Sequence, residues 1–287
     1  MKPGMVEPVV VSRPTPFRTP SPACNMASMA PNFPPTIYVG SSRKDMGMKA
    51  ASEVAEELRL RLQSQRTVRM IFAAAPSQSE ILASLVAQPG IDWSRVTAFH
   101  MDEYIGLAPD APQRFGLWLR RAIFDRLPFA AVHLLDPGND PEAAAAAYAR
   151  NLTEAPIDIV CLGIGVNGHL AFNDPPADLN DPKPVKVVPL GATCRQQQVD
   201  DGCFPTFDSV PTHAITLTIP RLLAADRLYC CVPGPRKRDA VRRAFHDPIG
   251  PGCPATALRL HPRCRLYLDP DSTPEWARDT GFHSAGK

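Results

Sequence analysis

The sequence predicts an α/β fold in which a mostly parallel sheet carries helices on both faces. Three observations carry that expectation. Short β-rich apolar runs alternate with helix-period stretches along most of the 287 residues. The run 157–162 reads as a buried strand and then breaks into a loop of glycines and polar groups, which is where an open α/β sheet puts its ligand site. An apolar content of 44% over this length suffices for one large domain or two small ones, and no internal repeat divides it.

The elements follow in order. Residues 1–35 are rich in Pro, Ser and Thr and poor in periodic apolar residues; Pro14, Pro16, Pro20, Pro22, Pro31, Pro34 and Pro35 argue for a flexible extension. A chain begun at Pro34 is therefore expected to keep its melting temperature and activity, and a drop of many degrees would show that the extension packs on the domain or a neighbour. A single α/β domain is expected over 36–270. It opens with a strand at 36–39 and a helix at 44–65, where Ala51, Val54, Ala55, Leu58, Leu60 and Leu62 recur at helical spacing. A strand at 68–74 leads to a helix at 78–87, with Ser77 as N-cap and Glu80 at the capping-box position. Then come a strand at 96–100, a helix at 113–127, a short strand at 132–135 and an alanine-rich helix at 141–152 opened by Pro141. After the 157–162 strand and its loop, residues 174–212 read as irregular. A strand at 214–219, a short helix at 221–225, a strand at 228–232, a helix at 236–245 and a strand at 265–268 complete the domain. Residues 271–287 read as a weakly ordered tail.

Bulk properties exclude several classes. The net charge of +2 implies neither nucleic acid nor an acidic membrane surface as partner. No apolar run reaches the ~20 residues of a membrane span. No apolar segment follows Lys2 as in a secretory signal, so a cytoplasmic protein is expected. The eight cysteines form no C-x-x-C pair and the histidines show no zinc spacing, so free thiols and no metal are expected. The sequence leaves a homo-oligomer open.

The chemistry concentrates in two places. Asp102 and Glu103 directly follow the 96–100 strand: either a solvated acidic pair, or a general base at Asp102 in the crevice beyond the strand ends. Glu103 is the control, expected to matter less. The loop after 162 delivers Asn167, His169, Asn173 and Asp174 within eight residues. His169 can exchange a proton near neutral pH, with Asn167 and Asp174 close along the chain. Asn173 reads equally as a loop-backbone anchor. Gly163-x-Gly165-x-x-Gly168 is literally the dinucleotide fingerprint, but that pattern must open a helix, and Asn173 to Pro176 would stop one. The glycines, Gly168 included, let the backbone turn tightly and approach a substrate. Lys237 and Ser77 each stand at the start of a helix, where free N–H groups suit a phosphate; Arg195 is a third cationic candidate. Lys237 also reads as one solvated cation beside Arg236 and Arg238.

Two stretches resemble the signatures of glucosamine-6-phosphate deaminases. They are Phe99-His100-Met101-Asp102-Glu103-Tyr104-Ile105-Gly106-Leu107 and Gly163-Ile164-Gly165-Val166-Asn167-Gly168-His169-Leu170-Ala171-Phe172-Asn173-Asp174-Pro175. The similarity continues through Val210-Pro211-Thr212-His213-Ala214-Ile215-Thr216 and Gly234-Pro235-Arg236-Lys237 and covers nearly everything between the two tails. The resemblance implies a modified Rossmann-like fold, no metal or other cofactor, and a small sugar phosphate as the partner. It also implies an aldose–ketose isomerisation with loss of ammonia, from glucosamine 6-phosphate to fructose 6-phosphate. Asp102 then matches the base that moves a proton between C2 and C1, and His169 the residue that helps open the ring. Asp174 matches an acid that supports the histidine, Lys237 a phosphate-binding lysine, and Ser77 falls near the phosphate loop.

The chain departs from its relatives at named positions. Asn167 stands where the family usually has Asp, and Asp174 where it has Glu. Ala73-Ala74-Ala75-Pro76-Ser77 replaces a glycine-rich phosphate loop. The family's arginine before Val210-Pro211 is missing, with Asp200 or Asp201 near its place and Arg195 as the stand-in. The basic residues that bind an activator in some members are not matched around Asp181-Pro182-Lys183. Three rivals remain: a 6-phosphogluconolactonase-like hydrolase, a sugar-phosphate isomerase without deamination, and a non-enzymatic sugar-phosphate-sensing module. Tyr104 after Asp102-Glu103, and Asn173-Asp174-Pro175 after Phe172, differ from the lactonase pattern.

Overall fold

The computed structural model describes residues 32–279. Most of the expected extension, 1–31, and the last residues, 280–287, lie outside the described residues. The domain begins slightly before residue 36: Pro35 is buried, and the Phe33 N–H donates to the Arg259 carbonyl at 2.6 Å.

The chain runs β1 (Thr36–Val39), α1 (Arg43–Ser64), β2 (Val68–Phe72), α2 (Ser79–Val86), β3 (Val96–His100), β4 (Asp102–Tyr104) and α3 (Phe115–Leu119). It continues through β5 (Ala131–His133), α4 (Pro141–Thr153), β6 (Ile159–Leu162), β7 (Val185–Pro189), α5 (Ala192–Asp200) and β8 (His213–Leu217). It closes with α6 (Ile219–Leu223), β9 (Arg227–Val232), α7 (Arg238–His246), β10 (Cys264–Leu268) and α8 (Glu275–Asp279). Seven strands form one sheet in the order β1-β10-β9-β6-β2-β3-β5, with every pair parallel.

The period of two along each strand sorts the core into two layers. Val68, Met70 and Phe72 of β2 pack with α1, α2 and α3 on one face, whereas Ile71, Phe99 and Val160 pack with α4 and α7 on the other. Both faces are covered, as the expected fold class requires. Among the described residues no helix is long and apolar enough to cross a membrane. The seven described cysteines are all free.

Tertiary structure corrects the sequence reading in four places. Residues 102–104 form a strand, and β4 pairs antiparallel with β8, which pairs antiparallel with β7 in a second, three-stranded sheet. The stretch read as irregular holds both β7 and α5. Ser77 is not an N-cap: residues Pro76–Gln78 make a 3₁₀ turn running into α2 without a side-chain cap. Glu80 instead pairs with Arg43 at 2.7 Å. The start of the expected tail is packed, since Ser272 and Thr273 are buried and Trp276 lies against Phe245 with ring centroids 5.2 Å apart.

Candidate active site

β9, β6, β2 and β3 are consecutive in the sheet, and the segments beyond their carboxyl ends meet around one open cavity. Ala73 to Ala75, Ser77 and Gln78 follow β2; Met101 and Asp102 follow β3; Gly163 to Gly165 and His169 follow β6; Lys237 follows β9. The chain leaves β2 for α2 on one face and reaches β6 from α4 on the other. Such a reversal opens a crevice between neighbouring strand ends.

Asp102 is only 5% exposed. Its carboxyl lines the cavity, and no hydrogen-bond partner for it is found among the described residues. Burial first, and then the negative charge of Glu103, push its pKa well above the usual carboxylate range. A carboxyl with no protein partner and a raised proton affinity is suited to accept and return a proton. Tyr104, Phe115, Phe172 and Phe204 cluster beside it, with Phe115 stacked on Phe172 at 5.6 Å. Glu103 is not the solvated partner of Asp102 but fully buried.

His169 is held from behind. Its Nδ1 lies 2.8 Å from Asn167 Oδ1 and 3.3 Å from Asp174 Oδ1. Asn167 Nδ2 donates to Asp174 Oδ1 at 2.9 Å, and Asn167 Oδ1 also accepts the His169 backbone N–H at 3.1 Å. An ionised carboxylate only accepts, so the amide end facing Asp174 is the NH₂ and the end facing the ring is the oxygen. Nδ1 therefore carries the ring proton, and Nε2, unpartnered among the described residues, is an acceptor on a ring that lines the cavity. Burial raises the proton affinity of Asp174, but the His169 ring, the Asn167 amide and the Gly191 N–H hold its carboxyl below the usual range. His169, Asp174 and Cys194 bring one donor atom each within 4.8 Å of one another, a grouping that sequence spacing did not announce.

Backbone sterics explain the loop. A Cβ on Gly165 would lie 2.1 Å from the His169 ring, so this glycine makes room for the imidazole. Gly168 has φ +87° and packs on Cys253; it shapes the turn behind the ring and does not line the cavity. Ala171 takes φ 50°, in the left-handed region. Asn173 fixes this geometry by donating to the carbonyls of Leu170 and Leu217, both at 2.8 Å. Among the described residues no helix follows β6 before β7, so the fingerprint glycines lack the helix a dinucleotide site needs.

Among the described residues Lys237 is the one cationic side chain that lines the cavity, and it is 7% exposed. Its ammonium has no hydrogen bond or ion pair among those residues, and burial pushes its pKa down to about 8. The Ser77 hydroxyl accepts from Gln78 Nε2 at 3.3 Å, which leaves its own O–H free to donate. Gln78 Nε2 also donates to the Cys231 carbonyl at 3.2 Å, tying the turn after β2 to β9.

Arg195 does not join them. Its guanidinium donates to the Phe207 carbonyl at 2.9 Å and to the Val210 carbonyl, and lies 4.1 Å over the Phe207 ring. The acids near the missing arginine's place are also engaged, since Arg236 pairs with Asp200 at 2.7 Å and with Asp201.

Sequence reading missed Gln197 and Gln198, which α5 brings to the cavity wall. Gln197 accepts the Val166 N–H at 2.9 Å and so fastens α5 to the histidine loop. A signal existed: Gly191 precedes the helix and Gly202, at φ +74°, follows it in the left-handed cap conformation. It was hidden because the helix offers few apolar residues, of which Cys194 is buried.

The chain is similar to several known proteins. The family model described as glucosamine-6-phosphate isomerases/6-phosphogluconolactonase matches residues 41–265. A glucosamine-6-phosphate deaminase of an Exiguobacterium species is 34% identical over 183 residues, covering 63% of this chain and 70% of that protein. One from Staphylococcus epidermidis is 30% identical over 234 residues, covering 79% of this chain and 95% of its own length. The solved structure of a monomeric glucosamine-6-phosphate deaminase has the same fold, with a TM-score of 0.76 and 24% identity over 83% of this chain and 98% of that one.

Proposed function

The chain belongs to the glucosamine-6-phosphate isomerase/6-phosphogluconolactonase family, and from that premise we propose that it is a cytoplasmic glucosamine-6-phosphate deaminase. It is a hydrolase that converts glucosamine 6-phosphate and water into fructose 6-phosphate and ammonia. The observation that carries this reading is a buried carboxyl and a buried ammonium on one cavity, unpartnered among the described residues: those of Asp102 and Lys237, with His169 between their loops on β6.

The phosphate is held by Lys237 and the Ser77 O–H, whose buried setting strengthens a charge-assisted bond. His169 Nε2 accepts the anomeric hydroxyl proton and delivers it to the ring oxygen, which opens the sugar. Asn167 and Asp174 keep the Nδ1 proton in place and stabilise the imidazolium that forms in between. Asp102 then takes the C2 proton and returns it at C1 from the same face, while the C2 nitrogen gives up one proton and the C1 oxygen gains one. The C2 imine left by this transfer is hydrolysed by water to the ketose, and ammonia leaves.

The direct test is ammonia release from glucosamine 6-phosphate, run beside hydrolysis of 6-phosphogluconolactone. Lactone hydrolysis without ammonia would transfer the site to the other activity in the family's name. Sugar-phosphate binding with no turnover of either substrate would favour the sensing module.

Asn167 gives a further expected result. Asn167→Asp puts a carboxylate against Nδ1 and favours the imidazolium. The histidine limb of the pH–kcat/KM profile is expected to move to higher pH. Asn167→Ala removes the bond at 2.8 Å and should lower activity without that movement. If both variants leave profile and rate unchanged, Asn167 has no part in holding the ring.

A further inference from the structure

Side chains alternate along a strand, so β4 points Asp102 into the cavity and its neighbour Glu103 away from it, toward α3. Glu103 Oε1 accepts the N–H groups of Tyr104 at 2.9 Å and Phe115 at 3.1 Å, and Oε2 accepts that of Gly116 at 2.9 Å. Arg114 Nε stands 3.7 Å from Oε2. Every bond is accepted and none donated, the pattern of an ionised carboxylate. Burial is the largest influence and leaves its pKa raised, while the three N–H donors and Arg114 act against that and favour the charged form. An apolar residue could fill this place at lower cost, because a buried charge is expensive unless fully paired.

We infer that Glu103 is a positioning residue for the reaction: its carboxylate fastens the start of α3, and with it the Phe115 wall, to the Asp102 strand, and its fixed negative charge makes Asp102 a stronger proton acceptor. The inference rests on Asp102 acting as the base proposed above. The surroundings leave Glu103 as the neighbouring charge that sets this. His100, at the end of β3, is pushed down to about 3 by burial and by Arg114, and is neutral. Burial pushes the phenols of Tyr104 and Tyr148 and the Cys194 thiol upward, so these too are neutral near pH 7. Lys237 and His169 line the same cavity from the segments after β9 and β6, and Asp174 is bound to Asn167 and the Gly191 N–H. A base with raised proton affinity pulls harder on a weakly acidic C–H, which is the demanding step of a proton transfer between carbons.

The test reads Asp102 directly. In protein carrying ¹³C at aspartate Cγ, its resonance is assigned by its loss in Asp102→Asn and followed against pH, beside the pH–kcat/KM profile. Glu103→Gln removes the charge and should lower the Asp102 midpoint by about one unit or more, with the acid limb of the profile moving the same way. Arg114→Met removes the cation behind Glu103 and should move both upward. A folded Glu103→Gln variant with an unmoved midpoint overturns the inference, whatever happens to its melting temperature. If that variant does not fold, an unmoved midpoint in Arg114→Met overturns it. The titration needs no turnover, so failure to release ammonia would overturn the proposed reaction, and an unmoved midpoint the role of Glu103.

Discussion

Replacing Asp102 with asparagine is expected to lower kcat for ammonia release by about 10²- to 10⁴-fold, the usual worth of a general base. The substitution is clean because the Asp102 side chain makes no hydrogen bond among the described residues, so the nearly isosteric amide breaks none. Its effect on stability has the opposite sign. The folded state raises the pKa of Asp102 above its ordinary value. Native Asp102 therefore favours folding most below the unfolded pKa of about 4, and that contribution is lost as pH rises toward the folded midpoint. The amide of the variant does not titrate and carries no such dependence, so near neutral pH the variant should melt no lower than the native protein. Collapse of kcat with an undiminished melting temperature is the expected pair of results. Near-normal turnover in the folded variant would remove Asp102 as the base.

Replacing Lys237 with alanine is expected to raise KM for the phosphorylated sugar by about 10- to 100-fold, from the ~1.5–3 kcal/mol of a hydrogen bond to a charged group. The phosphate is remote from C1 and C2, so ground state and transition state lose the contact together and kcat should change little. The native enzyme offers an internal check. Burial pushes Lys237 down to about 8, and only the ammonium form attracts phosphate, so KM should climb as pH rises through that value. The climb should be absent in Lys237→Ala. A fall in kcat at constant KM would show that the lysine serves the chemistry and not the phosphate.

The seven parallel strands were legible because each is a short apolar run between helical stretches, and local patterning carries that information. β4, β7 and α5 were not. β4 is Asp-Glu-Tyr, and its strand conformation comes from backbone pairing with β8, which lies far along the chain. α5 is polar along most of its length, buries Gln197 and Gln198, and is held by contacts such as Gln197 to the Val166 N–H, which no local pattern announces.

Residue types and their loops were likewise readable for Asp102, His169 and Lys237, since each follows an identifiable strand. Their convergence depends on strand order, which places the ends of β9, β6, β2 and β3 side by side. The same tertiary pairing decided the cases that sequence ranked wrongly. Arg195 had the right charge, but the carbonyls of Phe207 and Val210 take its guanidinium. Glu103 looked like a solvated control, yet the start of α3 folds over it and makes it a buried anion. Sequence by itself determined which groups exist and which segments are apolar enough to become strands, because both are properties of neighbours along the chain. Only the tertiary structure decided which charges remain free inside the cavity, because a charge is neutralised by whatever partner the fold brings within reach, at any distance along the sequence.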